Sequence, residues 1–142
     1  MRLLNPVVDC KYCPTPLLLW YPNPPEILQG QPVWPNRDWK ENIACHECGF
    51  VSEYSAQDVR WGAFDKSFLD QLRQRPSFFR VEIECAEKDC KARIEIHFCA
   101  MSGTTADDVV RKIYESKAVA AICSHGHAAN SWNFRGSCDP ER

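Results

Sequence analysis

The clearest alternation of apolar and polar positions runs from Phe79 to Ile96. Folding that stretch back on itself so that Cys85 lies opposite Cys90 sets Glu84 against Lys91, Glu82 against Arg93 and Arg80 against Glu95. The same register sets Ile83 against Ala92, Val81 against Ile94 and Phe79 against Ile96, giving one apolar and one charged face at period two. A slip of one residue would turn every side chain to the wrong face. The stretch therefore predicts a β-hairpin with a cysteine-bearing turn at its tip. Phe64, Phe68 and Leu72 fall at helical spacing, which predicts a short amphipathic helix over Ala63 to Gln74, ended by Pro76. A second helix is expected from Thr105 to about Ser116: a threonine cap and two acids open it, and Val109, Val110, Ile113 and Tyr114 form its buried side. Ala118 to Ile122 reads as a short strand that delivers Cys123 to the hairpin tip.

Proline changes the texture before this region. Eight of the ten prolines lie at or before Pro35 and none falls between Pro76 and Pro140, so residues 1–61 are expected to form a loop-rich module and residues 62–142 a second module with helix and C-terminal tail. The run from Tyr21 to Pro35 cannot be regular helix or central strand, because proline removes donors and restricts its predecessor. It is expected to be an ordered excursion. Leu17 to Tyr21 is far short of the roughly 20 apolar residues of a membrane span, and Met1 to Pro6 holds no signal-peptide core. The expectation is a cytoplasmic protein with no membrane partner.

Nine cysteines in 142 residues need a reason. An odd number without a secretory leader argues against a disulfide framework, and in a reducing compartment closely spaced pairs point to metal or redox chemistry. Modules of about 60 to 80 residues bury too little apolar surface to hold their fold unaided, which also favours a metal. Zinc takes sulfur and nitrogen donors tetrahedrally, and two residues between paired cysteines let one turn aim both sulfurs at the same ion. Cys10-Lys11-Tyr12-Cys13 and Cys45-His46-Glu47-Cys48 supply two such knuckles, and Gly49 tolerates the left-handed backbone often needed just past the second ligand. A second site is expected from Cys85, Cys90 and Cys123 with a histidine. His127 is the choice, because Gly126 permits a turn back toward the ion; His125 is the rival on the same geometry. Cys99 reads as a small buried hydrophobe, Cys138 as a tail thiol, and His46 and His97 as surface residues.

With these pairs in view, the chain resembles the zinc ribbon group, in which paired cysteines at hairpin tips share one metal. The resemblance covers the knuckles and adjoining strands, with Pro14 where a glycine is usual after the first knuckle. It implies a small α+β metal-stabilised fold of two zinc-ribbon-like modules, built from antiparallel β-hairpins with short helices and holding two zinc ions. Four thiolates in paired knuckles also suit a rubredoxin-like iron centre at the first site.

Three functional classes follow. The first is a structural or adaptor module for protein–protein interaction, with Trp20, Tyr21, Trp34 and Trp39 either forming a rigid recognition surface among the prolines or covering the metal core. The second is nucleic-acid binding, which the zinc ribbon resemblance makes reasonable, with Arg73, Arg75 and Arg80 beside Phe78 and Phe79 as local support. Charge speaks against it: the formal charge is −2, and seven thiolates with two zinc ions would bring it to about −5. The third is an enzyme. Catalytic zinc keeps a position open for water, whereas both sites here are filled by protein donors. A redox pair usually opens a helix, but Cys13 runs into Pro14-Thr15-Pro16 and Cys48 into an expected strand, so no catalytic residue is assigned.

Overall fold

A computed structural model of the chain describes residues 2–19, 35–85, 89–101, 103–116, 119–120, 123, 125–127 and 133–140. The proline-rich excursion, with Trp20, Tyr21 and Trp34, lies outside the described residues. In chain order the elements are β1 (Arg2–Asp9), β2 (Pro16–Leu18), β3 (Lys40–Ala44), β4 (Val51–Ser55), a 3-10 turn (Ala56–Asp58), β5 (Arg60–Asp65), α1 (Lys66–Arg73), β6 (Phe78–Glu84), β7 (Arg93–Cys99), α2 (Ala106–Ser116), β8 (Val119–Ala120) and β9 (Asn133–Pro140). This is a small α+β fold. A three-stranded sheet has the order β2-β1-β5, and a six-stranded sheet the order β8-β4-β3-β7-β6-β9.

The hairpin β6–β7 forms, but two residues out of the expected register. Ile83 faces Ile94, Val81 faces Ile96, Glu84 faces Arg93 and Glu82 faces Glu95, and the ladder closes where the Cys85 N–H donates to the Ala92 carbonyl at 2.8 Å. The reason lies at the tip: Asp89 takes a left-handed φ of 64°, and the longer turn leaves Cys90 in the loop instead of as the strand partner of Cys85. Because the shift is even, both faces keep their character. Two of the expected ion pairs survive diagonally, Arg93 to Glu82 at 3.0 Å and Arg80 to Glu95 at 3.5 Å. Arg93→Glu should therefore cost a few tenths of a kcal/mol to about 1 kcal/mol, by placing like charges opposite Glu84 and diagonal to Glu82. Adding Glu82→Arg should recover part of that loss in a urea-denaturation cycle; no recovery would mean the diagonal pair contributes nothing.

Helix α1 is shorter than the apolar spacing predicts. Residues 60–65 pair with β1 instead, Phe64 opposite Leu3, so Phe64 spends its backbone hydrogen bonds on a sheet. It keeps its helical neighbour all the same, stacking on Phe68 at 5.9 Å. The buried stripe of α1 is Leu69 and Leu72, which pack with Val7, Leu18 and Phe78.

Helix α2 opens as expected. Thr105 Oγ1 accepts the Asp108 N–H at 3.1 Å and Asp108 Oδ2 accepts the Thr105 N–H at 3.2 Å, a reciprocal cap. These bonds hold the Asp108 carboxyl below its ordinary range, so the cap's contribution is present above that range and fades as pH falls through the lowered value. Thr105→Ala should cost about 1 kcal/mol in thermal or urea unfolding. Val109 and Ile113 are buried, but Tyr114 is 61% exposed and lies off the buried side expected for it.

The expected boundary at residue 61 falls inside β5, and the large sheet draws β3 and β4 from one part and β6 to β9 from the other. Parallel pairs join them, Asn42 with Ile96 and Val51 with Val119. The C-terminal segment is a strand on β6, with Cys138 opposite Val81, and not the tail expected from sequence. Among the described residues no helix is long and apolar enough to cross a membrane.

Candidate metal centres

The first cluster sits between two hairpin tips. In the β1–β2 tip the Cys10 N–H donates to the Thr15 carbonyl and the Thr15 N–H to the Cys13 carbonyl; in the β3–β4 tip the Cys45 N–H donates to Phe50 and the Gly49 N–H to Cys45. Gly49 has a φ of +77°, the left-handed turn expected there. Facing tips bring the four sulfurs together: Cys10 to Cys48 is 3.7 Å, Cys13 to Cys45 3.6 Å and Cys13 to Cys48 3.5 Å. Backbone amides are aimed at two of them, Tyr12 N–H at the Cys10 sulfur and Glu47 N–H at the Cys45 sulfur, each at 3.4 Å. Such donors stabilise thiolate charge. Tyr54, fully buried, accepts the Lys11 N–H on its hydroxyl at 3.1 Å and so pins the first knuckle to β4. Trp39, 5% exposed, packs in the same core cluster as Cys10 and Cys45, which is the core-covering role among the two considered for it.

Burial dominates the thiol chemistry of this cluster. It raises Cys45 well above an ordinary thiol and pushes Cys48 up to about 11. At Cys13 burial acts in the same direction, but hydrogen bonds from the Thr15 hydroxyl and the neighbouring thiols outweigh it and hold that group below its ordinary value. Four sulfurs in contact cannot all carry unit charge without a cation, and an arriving metal ion displaces the protons that burial retains.

The second cluster joins the β6–β7 tip to the chain after β8. Cys85, Cys90, Cys123 and His127 present donor atoms that all lie within 4.8 Å of one another. His127 Nδ1 is 3.5 Å from the Cys123 sulfur and 3.9 Å from that of Cys85, and the Cys90 and Cys123 sulfurs are 3.9 Å apart. Gly126, at a φ of +85°, makes the turn that returns His127, and the Gly126 N–H donates to the Cys123 carbonyl at 2.9 Å. Burial opposes ionisation of Cys123, but backbone hydrogen bonds from His127 and His125 reverse the balance and bring its thiol to about 6. The rival His125 stands outside this set of four, yet its Nδ1 lies 3.5 Å from the Cys90 sulfur. All eight expected donors are thus gathered in two groups of four.

Other sequence expectations fare differently. Cys99 is buried and its thiol is pushed up to about 12, as befits a small hydrophobe. His46 is not a surface residue: it is 5% exposed, and desolvation lowers its pKa. Helix α2 covers this knuckle, the Lys112 ammonium donating to the His46 carbonyl at 3.0 Å, a docking that nothing in the sequence foretold. Tyr54 was equally hidden, since a lone tyrosine in a strand pattern has many uses. Of the arginine patch, the Arg73 side chain lies outside the described residues, and the others have partners within the chain. Arg75 donates to the Ala100 carbonyl, Arg80 pairs with Glu95, Phe78 is 3% exposed and Phe79 stacks on Phe98.

The geometry establishes two four-donor clusters with the composition and closeness of metal-binding modules. Comparison with protein-family models, with curated proteins and with solved structures finds no match to this chain.

Proposed function

We propose that the chain is a zinc-binding module in which two ions hold the fold, and that it acts as a structural or adaptor module binding another protein. The observation that supports this best is the closure of both clusters. Zinc bonds of about 2.3 Å to sulfur and 2.0–2.1 Å to nitrogen give a tetrahedron with edges of about 3.8 Å between sulfurs and about 3.6 Å from sulfur to nitrogen. The shorter donor separations, from 3.5 to 3.9 Å, sit on those edges, and all four donors of each cluster lie within 4.8 Å of one another. Four protein donors leave no position open for water, so the ions are structural and not hydrolytic. Residues 1–61 and residues 62–142 each contribute one zinc-ribbon-like centre, on parts of the chain that share the six-stranded sheet. Thiolate ligation of this kind fits a reducing cytoplasm.

A groove where β3 and β7 meet favours a polypeptide partner. Lys40 and Arg93 line it beside Glu41, Glu95, Asn42 and His97, a mixture of signs that complements a protein surface better than a polyanion. Native mass spectrometry after mild purification tests both halves of the proposal. The expected mass is the chain with two zinc ions, carrying a co-purifying protein. One ion or none would end the two-centre reading. Tight, salt-dependent binding of generic single-stranded or duplex oligonucleotides would move the function to nucleic-acid recognition.

A further inference from the structure

A fifth nitrogen stands beside the second cluster without belonging to its set of four. His125 Nδ1 stands 3.5 Å from the Cys90 sulfur, the sulfur-to-nitrogen edge of a zinc tetrahedron, while His127 Nδ1 stands at the same distance from Cys123. The two imidazoles approach the cluster from different corners, their ring centres 6.4 Å apart and their planes at 62°. Burial grades the site: Cys85 and Cys123 are buried, Cys90 and His127 half-buried, and His125 exposed. The four ligands of the first centre are graded in the same way, but its neighbouring histidine, His46, is itself buried inside the knuckle and offers no exposed fifth donor.

We infer that His125 is an exchange ligand of the second centre, standing in for His127 while zinc enters and leaves through the Cys90 side. The inference rests on the two-centre zinc reading and extends it from structure to metal traffic. In the exchange His125 Nδ1 donates its lone pair to the ion as His127 Nδ1 withdraws its own. Both imidazoles are neutral donors, so the charge of the site does not change and no oxidant or reductant is needed. Gly126 lies between them with open space where a Cβ would stand, and its φ of +85° sets the two rings on different sides of the turn, so side-chain rotation can bring one in as the other leaves while the Gly126 N–H and the His127 carbonyl stay bonded to Cys123. Ring exchange of this kind would keep four donors on the ion while the His127 corner opens, so an incoming chelator could take over the thiolate bonds one by one without the ion first becoming three-coordinate. The second zinc is therefore the faster to exchange, because among the described residues only that cluster has an exposed histidine beside one of its sulfurs.

The test uses the whole zinc-loaded chain. Release to a chromogenic chelator should be biphasic in the wild type, with one ion leaving fast and one slowly. His125→Ala should slow the fast phase by about tenfold or more while equilibrium zinc affinity changes by less than about threefold, since four donors remain. His127→Ala should still bind two zinc ions through His125, and the double variant His125→Ala/His127→Ala should bind one. An unchanged fast phase in His125→Ala overturns the inference, as does a His127→Ala chain that holds a single zinc. Loss of the second zinc in His125→Ala alone also overturns it, by making His125 the permanent ligand. A wild-type chain with fewer than two zinc ions at the outset instead marks failure of the two-centre reading. Should His127→Ala not fold, the release rate of His125→Ala decides alone.

Discussion

Removing the metal with a strong chelator at neutral pH should unfold the chain, seen as loss of far-ultraviolet circular dichroism and of near-ultraviolet signal from Trp39 and Tyr54. Both rings pack in one core with Cys10 and Cys45 of the first cluster, and the Tyr54 hydroxyl accepts the Lys11 N–H from the facing knuckle, so their surroundings depend on the two hairpin tips staying together. Apparent binding free energies of structural zinc sites run to about 10–16 kcal/mol, as large as the whole stability of a typical domain at about 5–15 kcal/mol. Returning zinc should restore the signal. Cys45→Ser, at a fully buried position, should reproduce the loss for the first centre even with zinc in excess. A chain that keeps its dichroism when elemental analysis finds no metal would remove zinc from any structural role. Absorbance separates zinc from iron on the same sample, because ferric thiolate is red and zinc thiolate colourless.

The second large effect is expected from Gly49→Ala. A Cβ at that position would lie 2.4 Å from the carbonyl carbon and oxygen of Lys112 and 2.9 Å from the Ile113 nitrogen, all backbone atoms of α2 that cannot move separately. The φ of +77° adds the left-handed penalty of about 1 kcal/mol. Together these should cost about 4 kcal/mol or more, by forcing α2 off the knuckle or the knuckle out of its turn. Gly126→Ala supplies the control. Its φ of +85° carries the same backbone penalty but nothing lies within 4 Å, so about 1 kcal/mol is expected. Equal losses in the two variants, measured by urea unfolding of the zinc-loaded chain, would mean that contact with α2 is not what constrains Gly49.

The gathering of these eight side chains in two groups of four was legible in the sequence because spacing and turn chemistry act locally. A glycine just past the second knuckle and another before His127 announce the left-handed turns at those two positions. The cap of α2 was legible for the same reason, since Thr105 and Asp108 satisfy each other within one turn. What escaped depends on partners distant along the chain. Phe64 has helical spacing to Phe68, but β1 claims its backbone, and no local pattern discloses that competitor. The hairpin register was wrong by two because charge pairing is satisfied almost as well diagonally as directly, and parity alone cannot separate the two alignments. His46 was misplaced because its cover is a helix far along the chain.

The placement of the clusters bears on how the chain reaches this structure. Strand pairs such as Arg2 with Asp65, Asn42 with Ile96 and Phe79 with Pro140 join segments far apart in sequence, a topology that folds slowly because loop entropy must be lost before contacts form. Each metal cluster closes a shorter loop, 32 residues from Cys13 to Cys45 and 33 from Cys90 to Cys123. Closure entropy grows only with the logarithm of loop length, so a bound ion offsets most of the search for the strands around it. With an ion in each cluster the long-range ladders would have two anchored hairpin tips to grow from, and the folding rate would become a function of free metal concentration.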